Sequence, residues 1–337
     1  MIRKRNSPKM LEGRVAVVTG CARVTGIGHA CCLALLRRGA YVIGIDSAPL
    51  AATSPLLSSR IAPKRLKALE HFHFVQASIV DDATTLSRGI VDALQGLEQE
   101  EIHVVVNNAG FPDASMPPFT VCGSGNTDQS NAAARIARFG DFLSVNLAGA
   151  FTVTEVCRPF FPVMRLSKSD RQADRIGTPR SSRLLASVIH ISSTRARQSE
   201  PHSEGYAAAK AGLLGLTHAQ SSSLAGIARV NAVLPGWIDT ADRAGADASG
   251  SDMSGLQDPS SGLEPGTASE LEAKGWSDEV TFEDHEWHDV KRVGIPEDVA
   301  NMVAFLADPD TAGFVTGGEF VVDGGVSRRM VYPEGDN

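Results

Sequence analysis

The chain has 337 residues, 42% of them hydrophobic and 21% charged, and its 32 Lys+Arg against 39 Asp+Glu give a formal net charge of −7. That balance excludes a disordered tail and gives no global attraction to nucleic acid or to an anionic membrane surface, and no apolar run of about 18 residues could cross a bilayer. The start Met1-Ile2-Arg3-Lys4-Arg5-Asn6-Ser7-Pro8 lacks the apolar stretch of a secretory leader, and Cys21, Cys31, Cys32, Cys122 and Cys157 form no C-x-x-C pair, so a soluble, cytoplasmic protein with its cysteines used as small hydrophobes is expected.

Residues 14–19 (R-V-A-V-V-T) are a short β-branched run closed by glycine, as in a strand buried on both faces. Ile27, Ala30, Cys31, Ala34 and Leu35 follow at i, i+3, i+4, i+7 and i+8, one apolar helical face, and Arg37-Arg38-Gly39 supplies a cationic last turn and a glycine stop. Residues 41–45 are the next strand. The alternation continues through strand 71–75, helix 84–97, strand 103–106, helix 142–160, strand 187–192, helix 205–224, strand 229–233, helix 296–307 and strand 319–322. Parallel strands need right-handed helical crossovers. This order therefore predicts a single α/β domain of the Rossmann-like, doubly wound type: a seven-stranded parallel sheet, helices on both faces, and a ligand crevice at the carboxyl ends of the strands.

Three segments break the rhythm. Residues 116–138 and 165–183 read as surface insertions, the second carrying six Arg/Lys against two Asp, a local +4. Residues 241–289 hold thirteen Asp/Glu against two Arg/Lys, a local −11 that exceeds the net charge of the whole chain. This acidic stretch reads as a solvated loop in its middle and as a substrate lid over the crevice, with Trp276 and Trp287 as apolar anchors. The domain is expected over residues 11–331, between tails at 1–10 and 332–337.

The turn Thr19-Gly20-Cys21-Ala22-Arg23-Val24-Thr25-Gly26-Ile27-Gly28 joins the first strand to the first helix, where free backbone N–H groups and the positive helix end can hold a pyrophosphate. Asp46 ends the second strand, eighteen residues past Gly28. A carboxylate there accepts hydrogen bonds from both ribose hydroxyls of an adenosine and repels a 2′-phosphate, which favours NAD over NADP. Farther along, Tyr206-Ala207-Ala208-Ala209-Lys210 puts a phenol and an ammonium one helical turn apart. A cation beside a phenol of pKa about 10 favours phenolate and makes it a usable general acid/base. His285-Glu286-Trp287-His288 has one residue too few between its histidines for a zinc-binding H-E-x-x-H helix, so no metal is predicted.

Taken together, the glycine-rich turn, Asn107-Asn108-Ala109-Gly110 after the fourth strand, Asn146, Ser193, Tyr206 with Lys210, Pro235-Gly236-Trp237-Ile238-Asp239-Thr240 and Val322-Asp323-Gly324-Gly325 resemble the short-chain dehydrogenase/reductase family in order and position, from about residue 11 to residue 327. The resemblance implies an NAD(P)-dependent oxidoreductase interconverting a secondary alcohol and a ketone. It implies a catalytic tetrad in which Ser193, thirteen residues before Tyr206 and so preferred over Ser192, fixes the substrate oxygen and Tyr206 moves the proton. Lys210 then lowers the Tyr206 pKa and binds the nicotinamide ribose, and Asn146 holds a relay water. It also implies Asn107, Asn108, Ala109 and Gly110 on the adenosine side of the cofactor, and Pro235, Gly236, Ile238 and Thr240 at the nicotinamide.

There are departures. Gly20 and Gly26 are separated by five residues, two more than the family's usual turn, and the insert includes Arg23, a residue type that accompanies NADP. Ser78, followed by Ile79, stands where an Asp commonly contacts adenine. With Asp46 weighed above Arg23, NAD is expected and NADP is the alternative. Arg195 and Trp237 are the candidate substrate residues, Arg195 and Arg197 suiting an anionic group. The expected partner is a small-molecule alcohol or ketone, larger than a simple metabolite if 241–289 covers it, and the resemblance implies a homotetramer or homodimer built on the helices containing Asn146 and Tyr206. Alternatives are an NADPH-dependent ketone reductase of secondary metabolism, and a family scaffold recruited for non-redox chemistry or nucleotide sensing.

Overall fold

A computed structural model of the chain describes residues 10–51, 54, 56, 71–111, 129–162, 185–241 and 280–329. The insertion at 165–183, Cys122, Trp276, nearly all of both tails and the middle of 241–289 lie outside the described residues. The β-branched runs form seven strands: β1 Val15–Thr19, β2 Tyr41–Asp46, β3 Phe72–Gln76, β4 Val104–Asn107, β5 Ala186–Ile191, β6 Ala228–Pro235 and β7 Glu319–Val322. All pair in parallel in the order β3-β2-β1-β4-β5-β6-β7, with Val17 opposite Ile43 on one side and Val105 on the other.

The twofold alternation of a strand divides the core. Ala16 and Val18 pack on one face with Leu35 of α1 (Ile27–Arg37) and Val303 of α7 (Pro296–Ala307). Val15 and Val17 pack on the other with Leu86 and Ile90 of α2 (Ala83–Gly96) and Val153 and Cys157 of α4 (Gly149–Cys157). Each fully buried Val, Leu or Ile contributes about 1.5–3 kcal/mol. Strand order reverses between β1 and β4, which opens a crevice at their carboxyl ends. The other helices are α3 (Gln129–Leu143), α5 (Glu204–Ser223), α6 (Phe282–Glu286) and α8 (Pro309–Ala312).

One element departs from expectation. The helix expected to begin at residue 142 already runs from Gln129, so the last ten residues of the 116–138 stretch belong to α3, and a π turn over Ser144–Ala148 links α3 to α4. Within 241–289, α6 starts at a capping box between Thr281 and Asp284, and the expected anchor Trp287 is half exposed, with the Arg329 guanidinium 5.8 Å from its ring.

Candidate active site

The crevice is built first from Thr19, the last residue of β1. Its Oγ1 accepts hydrogen bonds from the backbone of Asn108 (3.1 Å) and Ala109 (3.0 Å), and Asn108 Nδ2 donates to Thr19 O and Gly20 O at 3.0 Å each. These bonds press the turn after β4 onto the turn after β1. A side chain at Gly28 would overlap Gly20 O and stand 2.6 Å from Asn108 Nδ2, so only glycine admits the approach. The first turn of α1 begins at Gly26 with no side-chain cap, which leaves its N–H groups for a ligand. Asp46 Oδ2 accepts from Ala22 N (2.8 Å) and Oδ1 from Ala48 N (3.0 Å), so the carboxylate is held at the end of β2, while Arg23 is exposed.

Beside Asp46, Ala77 N donates to Asp46 O and Ser78 Oγ accepts from Val80 N at 3.3 Å. Ile79 is buried against Gly149 of α4. An uncapped helix start, a glycine approach and a fixed carboxylate at the β2 end form a cradle that fits a dinucleotide.

Across the crevice the tetrad residues lie on three elements. Asn146 sits in the π turn, 1% exposed, with Oδ1 accepting from Phe111 N (3.1 Å) and Nδ2 donating to Phe111 O (3.4 Å). Its carboxamide thereby pins the chain just after Gly110. A side chain at Gly110 would overlap Asn146 Oδ1 and lie 3.6 Å from Lys210 Nζ. Adjacent serines diverge after β5: Ser192 Oγ turns inward and donates to Lys210 O (2.8 Å), whereas Ser193 Oγ accepts from Arg195 N (3.1 Å). Lys210 is 5% exposed, donates to Ile191 O (2.8 Å) and lies 5.5 Å from the Tyr206 ring centroid. Burial pulls its pKa down to about 8. Tyr206 is half-buried, its ring edge-on to Phe142 at 6.3 Å, and Phe142 packs on Phe111 at 4.7 Å beneath the Arg138 guanidinium.

The segment after β6 closes the top. Ile238 bridges Gly294, Asp239 N donates to Gly294 O (2.8 Å), and the carbonyl of half-buried Trp237 accepts from Gly294 N (3.1 Å). Pro235 is buried and Gly236 abuts Asp323. Arg195 is paired with Glu200, and Arg197 with Glu319. Both histidines of the 285–288 stretch engage backbone: His285 Nδ1 accepts from Val293 N, and His288 Nδ1 meets Asp284 O at 2.8 Å.

Asn107 corrects an expectation. The alternation along β4 turns it away from the adenosine side: its Nδ2 donates to Thr154 Oγ1 (2.9 Å) and to His190 Nδ1 (3.1 Å), inside the sheet–helix interface. His190 passes the chain of bonds on to Gln220 Oε1 (3.0 Å), and burial, aided by the nearby Lys210 and opposed by the Gln220 bond, lowers its pKa to about 4. Neither this network nor the anchoring hydroxyl of Thr19 carried a signal beyond residue type. Thr25 was also missed: its Oγ1 donates to Thr240 O at 2.8 Å.

Comparison with known proteins agrees with this geometry. A short chain dehydrogenase family model matches residues 14–249, and one for enoyl-(acyl carrier protein) reductase matches 262–327. The chain is 30% identical over 332 residues to an uncharacterized oxidoreductase of Thermotoga maritima, covering 96% of this chain and all of that one. It is 29% identical to an acetoacetyl-CoA reductase of Rhizobium meliloti (93% and 98% covered) and 26% identical to the 3-oxoacyl-(acyl-carrier-protein) reductase FabG of T. maritima (94% and 98%). An apo SCOR enzyme from Clostridium thermocellum superposes with a TM-score of 0.60 at 28% identity, covering 96% of this chain and 97% of that one. The chain belongs to the short-chain dehydrogenase family, a family of oxidoreductases whose members use NAD(P).

Proposed function

We propose that the protein interconverts a secondary alcohol and a ketone, with NAD as its preferred cofactor and Tyr206 as the group that moves the proton. The observation that carries this reading is the buried ammonium of Lys210 beside the Tyr206 ring, next to Gly110 and the pinned carboxamide of Asn146. The dinucleotide, when bound, supplies or accepts the hydride. The N–H groups at Ile27 and Gly28 hold its pyrophosphate, with Gly26 N bonded to Arg23 O to shape the turn, Asp46 holds its adenosine ribose, and Ser78, Ile79, Asn108, Ala109 and Gly110 the adenosine side. Pro235, Gly236, Ile238, Thr240 and Lys210 hold the nicotinamide half.

Lys210 stabilises phenolate at Tyr206 and so brings its proton affinity toward the working range. Ser193 Oγ accepts from Arg195 N, which leaves its O–H to donate to the substrate oxygen and fix it. Asn146 acts on Phe111 and so holds the floor of the site in place. Asp46, fixed by two backbone amides, is a standing negative charge against a 2′-phosphate, whereas Arg23 points into solvent; this supports NAD over NADP. Arg195 is offset by Glu200, which favours a neutral alcohol over a strongly anionic one. Two relatives are named for 3-oxoacyl and acetoacetyl thioesters, so β-hydroxy and β-keto thioesters are the first substrates to try beside Trp237.

A soluble, cytoplasmic homo-oligomer is part of this reading. No helix among the described residues is long and apolar enough to cross a membrane, and Phe151 of α4 and Ala208 and Ala211 of α5 are exposed on the helices expected to pair.

The test is a titration with NADH and with NADPH, following nicotinamide fluorescence, for wild type, Asp46→Ala and Tyr206→Phe. Tighter NADH binding that Asp46→Ala weakens, with Tyr206→Phe binding normally but losing turnover by about 10²–10⁴-fold, is the expected result. Binding of neither dinucleotide would remove the redox reading.

A further inference from the structure

The glycine-rich turn is fastened at two points. At one, Ala22 N donates to Asp46 Oδ2 at 2.8 Å, which holds the turn to the end of β2. At the other, Thr25 Oγ1 donates to Thr240 O at 2.8 Å, joining residues 215 positions apart in the chain. The second bond spans the crevice. In the sheet β4 and β5 stand between β1 and β6, so the bond joins loops that leave strands three intervals, about 14 Å, apart. The segment after β6 bends at Trp237 and is itself held where Ile238 bridges Gly294 and Asp239 N donates to Gly294 O. This strap and the glycine-rich turn thus meet at the carboxyl ends of the strands, where the proposed dinucleotide would lie.

We infer that Thr25 is a latch, a positioning residue whose hydroxyl ties the lengthened glycine-rich turn to the strap after β6 and so sets how fast a dinucleotide enters and leaves. The inference rests on the dinucleotide reading above. Ile238 and Thr240 are carried by the strap and Ile27 and Gly28 by the turn, so one bond joins the two walls of the cofactor crevice. A bond between a neutral hydroxyl and a carbonyl is strong enough to hold a closed arrangement and weak enough to open on every cycle.

The test compares wild type with Thr25→Val, which keeps the shape and removes the donor, and with Thr25→Ser, which keeps the donor. Stopped-flow fluorescence gives association and dissociation rate constants for whichever of NADH and NADPH binds, and hydrogen exchange of the free protein reads the amides of the turn and strap. Thr25→Val is expected to raise both rate constants about three- to tenfold, with less than about a twofold change in their ratio, and to speed exchange around Gly26 and Ala241; Thr25→Ser should match wild type. Unchanged rates or unchanged exchange in Thr25→Val would overturn the latch alone. Faster dissociation with unaltered association would also overturn it, by making the hydroxyl a phosphate ligand instead. A wild type that binds neither dinucleotide would overturn the functional reading and the latch with it.

Discussion

Two cations are buried at opposite ends of the same sheet, and they are treated differently. At the amino end, Arg229 in the second position of β6 donates to Ala312 O (2.9 Å), Val315 O (3.4 Å) and Leu306 O (2.8 Å), while Asp308 favours its charge. Burial and the nearby Arg14 lower its pKa to about 10, which leaves it charged at neutral pH, and it caps the carboxyl end of α7. At the carboxyl end, Lys210 has a single carbonyl to bond among the described residues, and its pKa falls to about 8. The scaffold end meets its buried charge with three carbonyls and the nearby Asp308, leaving only Nε without a partner among the described residues. The site end leaves its charge with one carbonyl, 5.5 Å from the Tyr206 ring centroid, an arrangement that costs stability.

The sharpest way to break that contrast is Lys210→Met. Turnover should fall about 10²–10⁴-fold while the free protein gains on the order of 1–3 kcal/mol at pH 7, read by urea unfolding. The folded pKa of about 8 lies below the ordinary 10.5, so the folded state binds fewer protons between those values. The penalty is therefore fully present below pH 8 and relieved as pH rises toward 10.5, and the gain from Lys210→Met should shrink over that range. A destabilised Lys210→Met would make Lys210 a scaffold residue like Arg229 and end the contrast.

Arg229→Leu should do the opposite, lowering stability by about 3 kcal/mol with little change in dinucleotide affinity, because the carbonyls of Leu306, Ala312 and Val315 lose a charged donor. Next in size is the acid response. Burial, aided by Arg14, holds His103 near pKa about 4, and burial does the same for His190. Both folded values lie below the ordinary 6.5, so their contribution is complete above pH 6.5 and lost as pH falls toward 4. Stability should drop by about 2–4 kcal/mol over that window, and His190→Asn should flatten the slope. The smallest effect belongs to Ser192→Ala, which removes the bond to Lys210 O: about 1 kcal/mol of stability, and less than about a threefold change in turnover, against a loss of about 10²-fold or more for Ser193→Ala.

The strands were legible because parallel strands buried on both faces demand continuous β-branched runs, and all seven lie within two residues of expectation. The start of α3 was not. Ser130, Asn131 and Gly140 are weak helix formers that break the favourable run around Ala132–Ala134, and Ile136 and Phe139 of its apolar stripe remain exposed, so no buried face announced it. Within the site, the spacing of Tyr206 and Lys210 was visible because both sit on one helix. The bond from Thr25 to Thr240 was invisible because it depends on where two loops end after the chain has folded. Ser193 was preferred to Ser192 on the family spacing alone, since nothing in the sequence announced the inward bond of Ser192 to Lys210 O.

The π turn around Asn146 works as a phase corrector. An α-helix advances about 100° per residue, so one surplus residue in a turn shifts everything before it by about that angle relative to everything after. On the near side Phe142 must face Phe111 and Tyr206; on the far side Val153 and Cys157 must face the sheet. A straight helix of this length keeps one clock, and these two walls need two. Removing any one residue of Ser144–Ala148 would give a more regular helix and a protein in which either the aromatic wall or the core is out of step.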